Sequence, residues 1–511
     1  MTLRPDTEPP VETTTETNAA GVADAPVADP AAPHEPAPRN ALDRFFEITR
    51  RGSTVAAEVR GGIVTFVTMA YIVILNPIIL SGGTDVAGET LGFAQVAAVT
   101  ALTAGVMTIV FGLVARLPFA FAAGLGINSF LAVSVVGQVT WAEAMGLVLV
   151  NGLIIVLLAA TGLRRLIFEA VPMPLKLAIT VGIGVFIAFI GFVDAGFVTA
   201  TGSASPPVGL GVDGSVGTVP TIVFVVTLLL TGVLVARRVK GGILIGLLSG
   251  TVLALVLEAI LDLGPKVGAD GAVNPQGWGL SVPELPAQWV SLPDLSLVGQ
   301  VSFGSFERIG VLAALMLVFT LVFTNFFDAL GTMTGLSKEA GVADARGEFP
   351  RLRSALVVEG VGAVAGGFAS SSSNTVFIES GSGIGEGART GLANVVTGGL
   401  FLLAVFLTPL TSVVPSEVAA AALVIVGALM MSQIREIDLR DVSVLLPVFL
   451  TVTVMPLTYS IANGIGAGFV SWVVVRSFAG RAREISPLLW IVAAGFVVYF
   501  ARGPVEALLA G

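Results

Sequence analysis

Residues 370–391 read SSSSNTVFIESGSGIGEGARTG: two glutamates, an arginine, five glycines and a run of serines set deep inside a very apolar chain. A second stretch, PFAFAAGLGINSFLAV from Pro118 to Val133, repeats the pattern with an asparagine in place of the acids. Each opens with a short non-helical-looking run, PFAFAAG and SNTVFIES, and each breaks at glycines before continuing apolar. The chemistry open to these segments is narrow. The chain has no cysteine and a single histidine, His34, so disulfides, thiol chemistry and Cys-ligated metals are excluded. Proton or ion chemistry falls to carboxylates, hydroxyls, amides and backbone groups, and neither a metal centre nor a cofactor is expected. An ionisable side chain buried in such surroundings is rare and usually functional.

Composition decides what surrounds these groups. Apolar residues make up 55% of the 511, charged residues only 12%, and the mean hydropathy is +0.93; soluble domains carry about 25% charged residues. A soluble enzyme is therefore excluded, and an all-α polytopic membrane protein is expected. Residues 1–43 differ: they are rich in Pro, Ala, Thr and acids and poor in large apolar side chains. Such a segment cannot bury enough surface to offset its ordering entropy, and it holds no apolar run of the kind a signal peptide needs. It reads as a disordered cytoplasmic tail, and much of the net charge of −9 comes from it.

From Arg60 onward the apolar runs have membrane-spanning length. They parse as 61–81, 93–115, 119–136, 142–161, 173–192, 218–236, 241–262, 310–336, 354–370, 374–394, 395–413, 417–433, 442–457 and 459–478, fourteen segments in all. With the tail inside, the inner loops collect almost every Lys and Arg, including Arg164, Arg165 and Arg346, while the outer loops receive Lys266 and Arg308 only. That asymmetry predicts cytoplasmic termini in a multi-pass protein of the cell membrane. Residues 479–511 form a C-terminal segment whose apolar run, 487–501, is short for a span and is expected to be interfacial or half-inserted.

The segments repeat. EAVPMP precedes ITVGIGVFIAFIGF at the fifth and SVVPSE precedes LVIVGALMM at the twelfth; GGILIGLLSGTV at the seventh resembles ANGIGAGFVSWV at the fourteenth; TFVTMAYIVIL at the first faintly resembles TLVFTNFFDAL at the eighth. All three pairs lie seven segments apart, and an odd number of spans per half inverts the second copy, so a 7+7 inverted repeat is expected. The glycine-broken stretches then become repeat mates in the third and tenth segments. Unpaired backbone in hydrocarbon is costly. Short β-strands pairing the two stretches would satisfy it and bring two half-helices to a common point near the midplane, where transporter sites lie.

FFDALGTMTGLSKEAG, TVFIESGSGIGEGARTGLANVVTG, GIGVFIAFIGFVDAG and MPLTYSIANGI together resemble the AzgA-type purine permeases, a branch of the nucleobase-cation symporters similar in architecture to the bacterial uracil permease. The resemblance runs from Phe45 to about Phe478. It implies a fourteen-span transporter over 44–478, with a core domain (61–161 and 310–413) moving elevator-like against a gate domain (173–262 and 417–478). It also implies import of hypoxanthine, guanine or adenine coupled to a cation, H+ first and Na+ as the other choice. A homodimer is compatible with it; a nucleic-acid partner is not expected.

On that resemblance the binding groups fall on the third, eighth and tenth segments. Glu379 matches the tenth-segment glutamate and is the first choice for the purine N–H groups, since a carboxylate accepts two hydrogen bonds side by side; capping the half-helix from Ser380 is its other role. Asn128, in GLGIN, matches the third-segment asparagine and offers a donor and an acceptor, or caps the broken helix. Gly124 and Gly126 allow close approach of backbone to ligand, or simply helix packing. The family pattern Asp-x-x-Asp reads here Asn325 and Asp328. Asn325 keeps a hydrogen bond but cannot titrate, which leaves Glu379 and Asp328 as proton-coupling candidates; a pairing of Asp328 inside the core is the alternative. Phe377 could stack on the purine face, with Phe121 in the equivalent place and Thr68 and Tyr71 facing the same cavity. Glu386 and Arg389 are expected to form an intrahelical ion pair.

Other classes fit less well. A channel wants rings of equivalent polar residues, and a membrane enzyme wants a His, Cys or multi-carboxylate cluster. An anion or other small-solute transporter of the same fold is the nearest rival, but it would leave the site without a buried acid.

Overall fold

Ten helices among the described residues are long and apolar enough to cross a membrane, and three shorter apolar helices accompany them. The computed structural model describes residues 40–161, 171–203, 205–212, 214–267, 272–343 and 349–501. The tail expected over 1–43 lies outside the described residues except at its end, where Ala41–Phe46 (α1) is helical under an Asn40 cap. Of the expected inner-loop charges, Arg164, Arg165 and Arg346 lie outside the described residues.

The chain continues as Val55–Met69 (α2), Ile72–Ser81 (α3), Phe93–Val114 (α4), strand Phe121–Ala123 (β1), Leu125–Phe130 (α5, extended by a π turn to Val135), Trp141–Thr161 (α6) and Met173–Asp194 (α7). A hairpin of Val198–Ala200 (β2) and Val208–Leu210 (β3) leads to Val219–Ala236 (α8) and Gly242–Leu261 (α9). Then come Ser305–Arg308 (α10), Val311–Glu339 (α11), Leu352–Phe368 (α12), strand Asn374–Val376 (β4), Ser380–Gly385 (α13), Gly391–Ala404 (α14), Ser416–Met431 (α15), Val442–Leu457 (α16), Ile461–Arg476 (α17) and Pro487–Phe500 (α18). The fold is thus a predominantly helical, polytopic membrane architecture with two small sheets. The β2–β3 hairpin was not expected; it sits in the turn-rich connection between α7 and α8.

One boundary differs from that read in the hydropathy. The tenth and eleventh segments do not meet at residue 394, because α13 ends at Gly385 and Gly387 turns the chain with a φ of 100°. The next helix starts at Gly391, where the buried carboxylate of Glu58 accepts from the backbone N–H groups of Arg389, Thr390 and Ala393 at 2.8, 3.3 and 3.3 Å. Thr390 Oγ1 caps the helix locally, accepting from Leu392 N–H at 3.3 Å, while the Glu58 share of the cap comes from more than three hundred positions away and no local pattern reveals it. The C-terminal helix α18 packs on α17 and α11: Phe496 is fully buried, with its ring 6.1 Å from Phe469 and 5.9 Å from Phe319.

Glycine sets how closely the helices approach. A Cβ on Gly112 would come within 2.5 Å of Gly391 O, and one on Gly398 equally close to Gly105 O, so α4 and α14 cross backbone to backbone. Gly152 and Gly360 do the same for α6 and α12, and Gly184 and Gly427 for α7 and α15. Through these crossings α2 to α6 pack with α11 to α14, while α7 to α9 pack with α15 to α17.

Candidate functional site

β1 and β4 cross in the middle of the first set of helices. They pair antiparallel, Phe121 opposite Val376, Ala122 opposite Thr375 and Ala123 opposite Asn374, so the two broken stretches do satisfy each other. The ribbon's remaining groups are also met. Thr108 Oγ1 accepts from Phe121 N–H at 2.9 Å and donates to Phe121 O at 3.1 Å. Ser380 Oγ accepts from Ala120 N–H and donates to Phe377 O, Phe377 N–H donates to Ala120 O, and Asn394 Nδ2 donates to Phe119 O. The serine run supplies the turn into β4: Ser370 and Ser372 take φ values of 59° and 71°, and Asn76 and Thr103 hold Ser371 from the side.

Glu379 stands where β4 gives way to α13. Its side chain makes no bond to the helix end; instead Tyr71 Oη donates to Glu379 Oε1 at 2.5 Å, and Thr68 Oγ1 reaches Glu379 O at 3.4 Å. Tyr71 is fully buried and sits at the break between α2 and α3, which is what turns it toward the acid. The capping role weighed for Glu379 is therefore not the one its side chain adopts. Phe377, two residues earlier, is buried beside it.

On the other half-helix, Gly124 N–H donates to Ser373 O at 2.9 Å and Asn128 N–H to Gly124 O. The Asn128 side chain is fully buried, and neither its Oδ1 nor its Nδ2 has a partner among the described residues. Asn325, also fully buried, donates through Nδ2 to Ser373 Oγ at 2.9 Å and leaves Oδ1 without a partner. Asp328, three residues on along α11, is half-buried and within electrostatic reach of Glu379. The structure thus gathers Glu379, Tyr71, Thr68, Phe377, Asn325 and Asp328 around one strand crossing, with Asn128 on the half-helix that starts from it.

Of the two glycines, Gly126 lies against Ile183 of α7, which a Cβ would meet at 2.8 Å, and Gly124 lies against Thr375 of the opposing strand. Two expectations are corrected. Phe121 stacks into a separate core beside Phe111, ring centroids 4.8 Å apart, and does not mirror Phe377. Glu386 and Arg389 do not pair: Glu386 lies beyond the end of α13 and pairs with Arg60 at 2.8 Å and with Lys240, while Arg389 donates to the Ile384 and Ala388 carbonyls. The chain turns at Gly387 between them, which removes the helical spacing the pair needed. One residue was missed altogether. Glu359, in LVVEGVGAVAGG, is fully buried in α12, and its signal was plain: an acid in the middle of an apolar helix.

Comparison with known proteins comes to the same place. A family model described as "Permease family" matches residues 56–467. The chain is 36% identical over 464 residues to the guanine/hypoxanthine permease PbuG of Bacillus subtilis, covering 90% of this chain and 99% of that one. It is 34% identical over 459 residues to the adenine permease AdeP of Escherichia coli, covering 89% and 95%. Among solved structures, the transmembrane domain of the cyanobacterial bicarbonate transporter BicA superposes with a TM-score of 0.54 at 16% identity, over 82% of this chain and 96% of that one, and SLC26A9 with 0.53 at 10% identity, over 83% and 66%.

Proposed function

We propose that this chain, which belongs to the Permease family, imports purine nucleobases, hypoxanthine, guanine or adenine, by cation symport with H+ as the first candidate. Relatives at 34 to 36% identity carry the names of guanine/hypoxanthine and adenine permeases, and the chain is a transporter rather than an enzyme. The observation that carries the substrate class is the acid and amide pair at the strand crossing. Glu379 is held by Tyr71 and not engaged in capping, while Asn128 presents a buried amide with no hydrogen-bond partner among the described residues. A carboxylate receives adjacent N–H donors and an amide reads a donor and acceptor edge, a combination suited to a purine base. Asn325 and Asp328 complete the site, Phe377 covers the ring face, and Glu379 and Asp328 are the titratable groups beside the ligand.

Fourteen segments in a 7+7 inverted repeat, with core (61–161, 310–413) and gate (173–262, 417–478), remain the architecture we infer. The reciprocal glycine contacts support it. Gly184 lies twelve residues after Pro172, Gly427 twelve after Pro415, and these repeat mates meet each other, as equivalent positions must at a two-fold axis. Packing of α6 on α12 is likewise the repeat image of α14 on α4. The polar, broken helices belong to the core alone, which supports an elevator-like movement of that set against the other, with both termini cytoplasmic. An anion carrier of this fold is disfavoured by Glu379, because an acid at the site repels its cargo. Competition of labelled hypoxanthine uptake by adenine, guanine, xanthine, uracil and bicarbonate tests the assignment: inhibition by purines alone is expected, and inhibition by bicarbonate alone would overturn it.

A further inference from the structure

Seven acids are buried among the described residues: Asp43, Glu58, Asp85, Glu143, Glu258, Glu359 and Glu417. Six have evident structural work. Asp43 holds Thr49, Glu58 caps α14, Asp85 holds the Ala87, Glu89 and Trp141 N–H groups, Glu143 takes Arg308, Glu258 takes Trp278 and the Leu263 and Gly264 N–H groups, and Glu417 takes Gly279 N–H. Glu359 is the exception. It is fully buried, and among the described residues neither carboxyl oxygen makes a hydrogen bond of good geometry, although Thr375 and the Val376 N–H face it.

Its surroundings are built rather than accidental. The Gly152–Gly360 crossing presses α12 against α6, and Gly362 and Gly366 press the same helix against the Asn374 carbonyl and the Ser372 carbonyl of the β4 stretch. This seats Glu359 behind β4, facing Thr375 and the Val376 N–H. Thr375 Oγ1 is itself buried and, among the described residues, makes no hydrogen bond of good geometry. Asp328 of α11 is within electrostatic reach of Glu359 and, in the other direction, of Glu379. Among the described residues, no titratable group from the remaining helices packed on α12 faces it: α4 contains none, and in α6 Glu143 is taken by Arg308.

We propose that Glu359 and Thr375 form the seat of the coupling cation, H+ or Na+, on the far side of the strand from the purine. An uncompensated charge at this depth is expensive, and among the described residues no protein cation is placed to offset it. A proton on Glu359 would let the acid donate to Thr375 Oγ1; a sodium ion would take the carboxylate and that hydroxyl as oxygen ligands. Either removes a negative charge that Asp328 otherwise feels, so loading the seat favours an anionic Asp328, whose charge in turn acts on Glu379 beside the base. Coupling then runs across β4 through charges alone, and Asn325 need not titrate.

This inference rests on the symport reading, and the test separates the two. Purified protein in liposomes is given labelled hypoxanthine or adenine under an imposed tenfold H+ or Na+ gradient. For one coupled cation the wild type accumulates substrate up to about tenfold under the coupling gradient, and which gradient works identifies the ion. Glu359→Gln is expected to fall to no net accumulation while counterflow exchange of the same base stays measurable, and Glu359→Asp to recover part of the accumulation. Gradient-driven accumulation by Glu359→Gln equal to wild type overturns the cation seat and leaves symport standing. Failure of the wild type itself to respond to either gradient overturns symport, and the seat with it. Should Glu359→Gln not fold, Thr375→Val is the second variant: it keeps the shape, removes the hydroxyl, and is expected to shift the cation concentration for half-maximal accumulation upward at least severalfold. An unshifted value overturns the seat.

Discussion

Replacing Glu379 by Gln keeps the outline of the side chain and removes its charge. The local fold should survive, because the side chain makes no cap bond to α13 and Tyr71 can still donate to the amide oxygen. What is lost is the charge-assisted part of the bonds to purine N–H groups, about 1.5 to 3 kcal/mol, or about tenfold to a hundredfold in affinity. Tyr71→Phe removes the tyrosine hydrogen bond to the carboxylate while leaving the charge, so a smaller loss is expected, about 1 kcal/mol or roughly fivefold. The two residues touch, so their effects should not add: in the Gln background Tyr71→Phe should cost measurably less than in wild type. The assay is calorimetric titration of hypoxanthine or adenine into detergent-purified protein for the four members of this cycle, with a monodisperse elution profile as the folding check. A well-folded Glu379→Gln protein binding purine within about twofold of wild type would refute the ligand assignment, because a twofold change is well below any charge-assisted bond.

Glu386→Gln should retain most transport, since its partners Arg60 and Lys240 are 63% and 58% exposed and pairs of that kind contribute at most about 1 kcal/mol; a loss of uptake rivalling Glu379→Gln would contradict this. Gly427→Leu should destabilise the protein severely, because a Cβ there already meets Gly184 O at 2.3 Å and overpacking costs typically about 1 to 3 kcal/mol or more; an unchanged thermal melting temperature in detergent would argue against the crossing. The chain has no cysteine, so Ser134→Cys with Ser460→Cys can be bridged selectively. Ser134 Oγ donates to Tyr459 O at 2.7 Å, and the cross-link should stop transport yet leave purine binding measurable. Full transport by confirmed cross-linked protein would sink the moving-core mechanism.

Composition and hydropathy alone determine that this protein lives in a bilayer, where its apolar runs lie, and that two glycine-broken polar stretches interrupt them, because each of these is a local property of the chain. Pairing of PFAFAAG with SNTVFIES was also legible, since orphaned backbone in hydrocarbon leaves those stretches few other partners. The choice of Glu379, Asn128, Asn325 and Asp328 came from motif resemblance. Tertiary structure alone decided what each side chain meets. Tyr71 reaches Glu379 across 308 residues and Glu58 caps α14 across more than 330; Glu386 turns to Arg60 and Lys240 because Gly387 ends the helical spacing that would have given it Arg389; Gly126 packs on Ile183. Glu359 shows the limit most directly. Its burial could be read from the helix around it, but a missing partner is a property of everything that surrounds a residue, and only the folded chain specifies that.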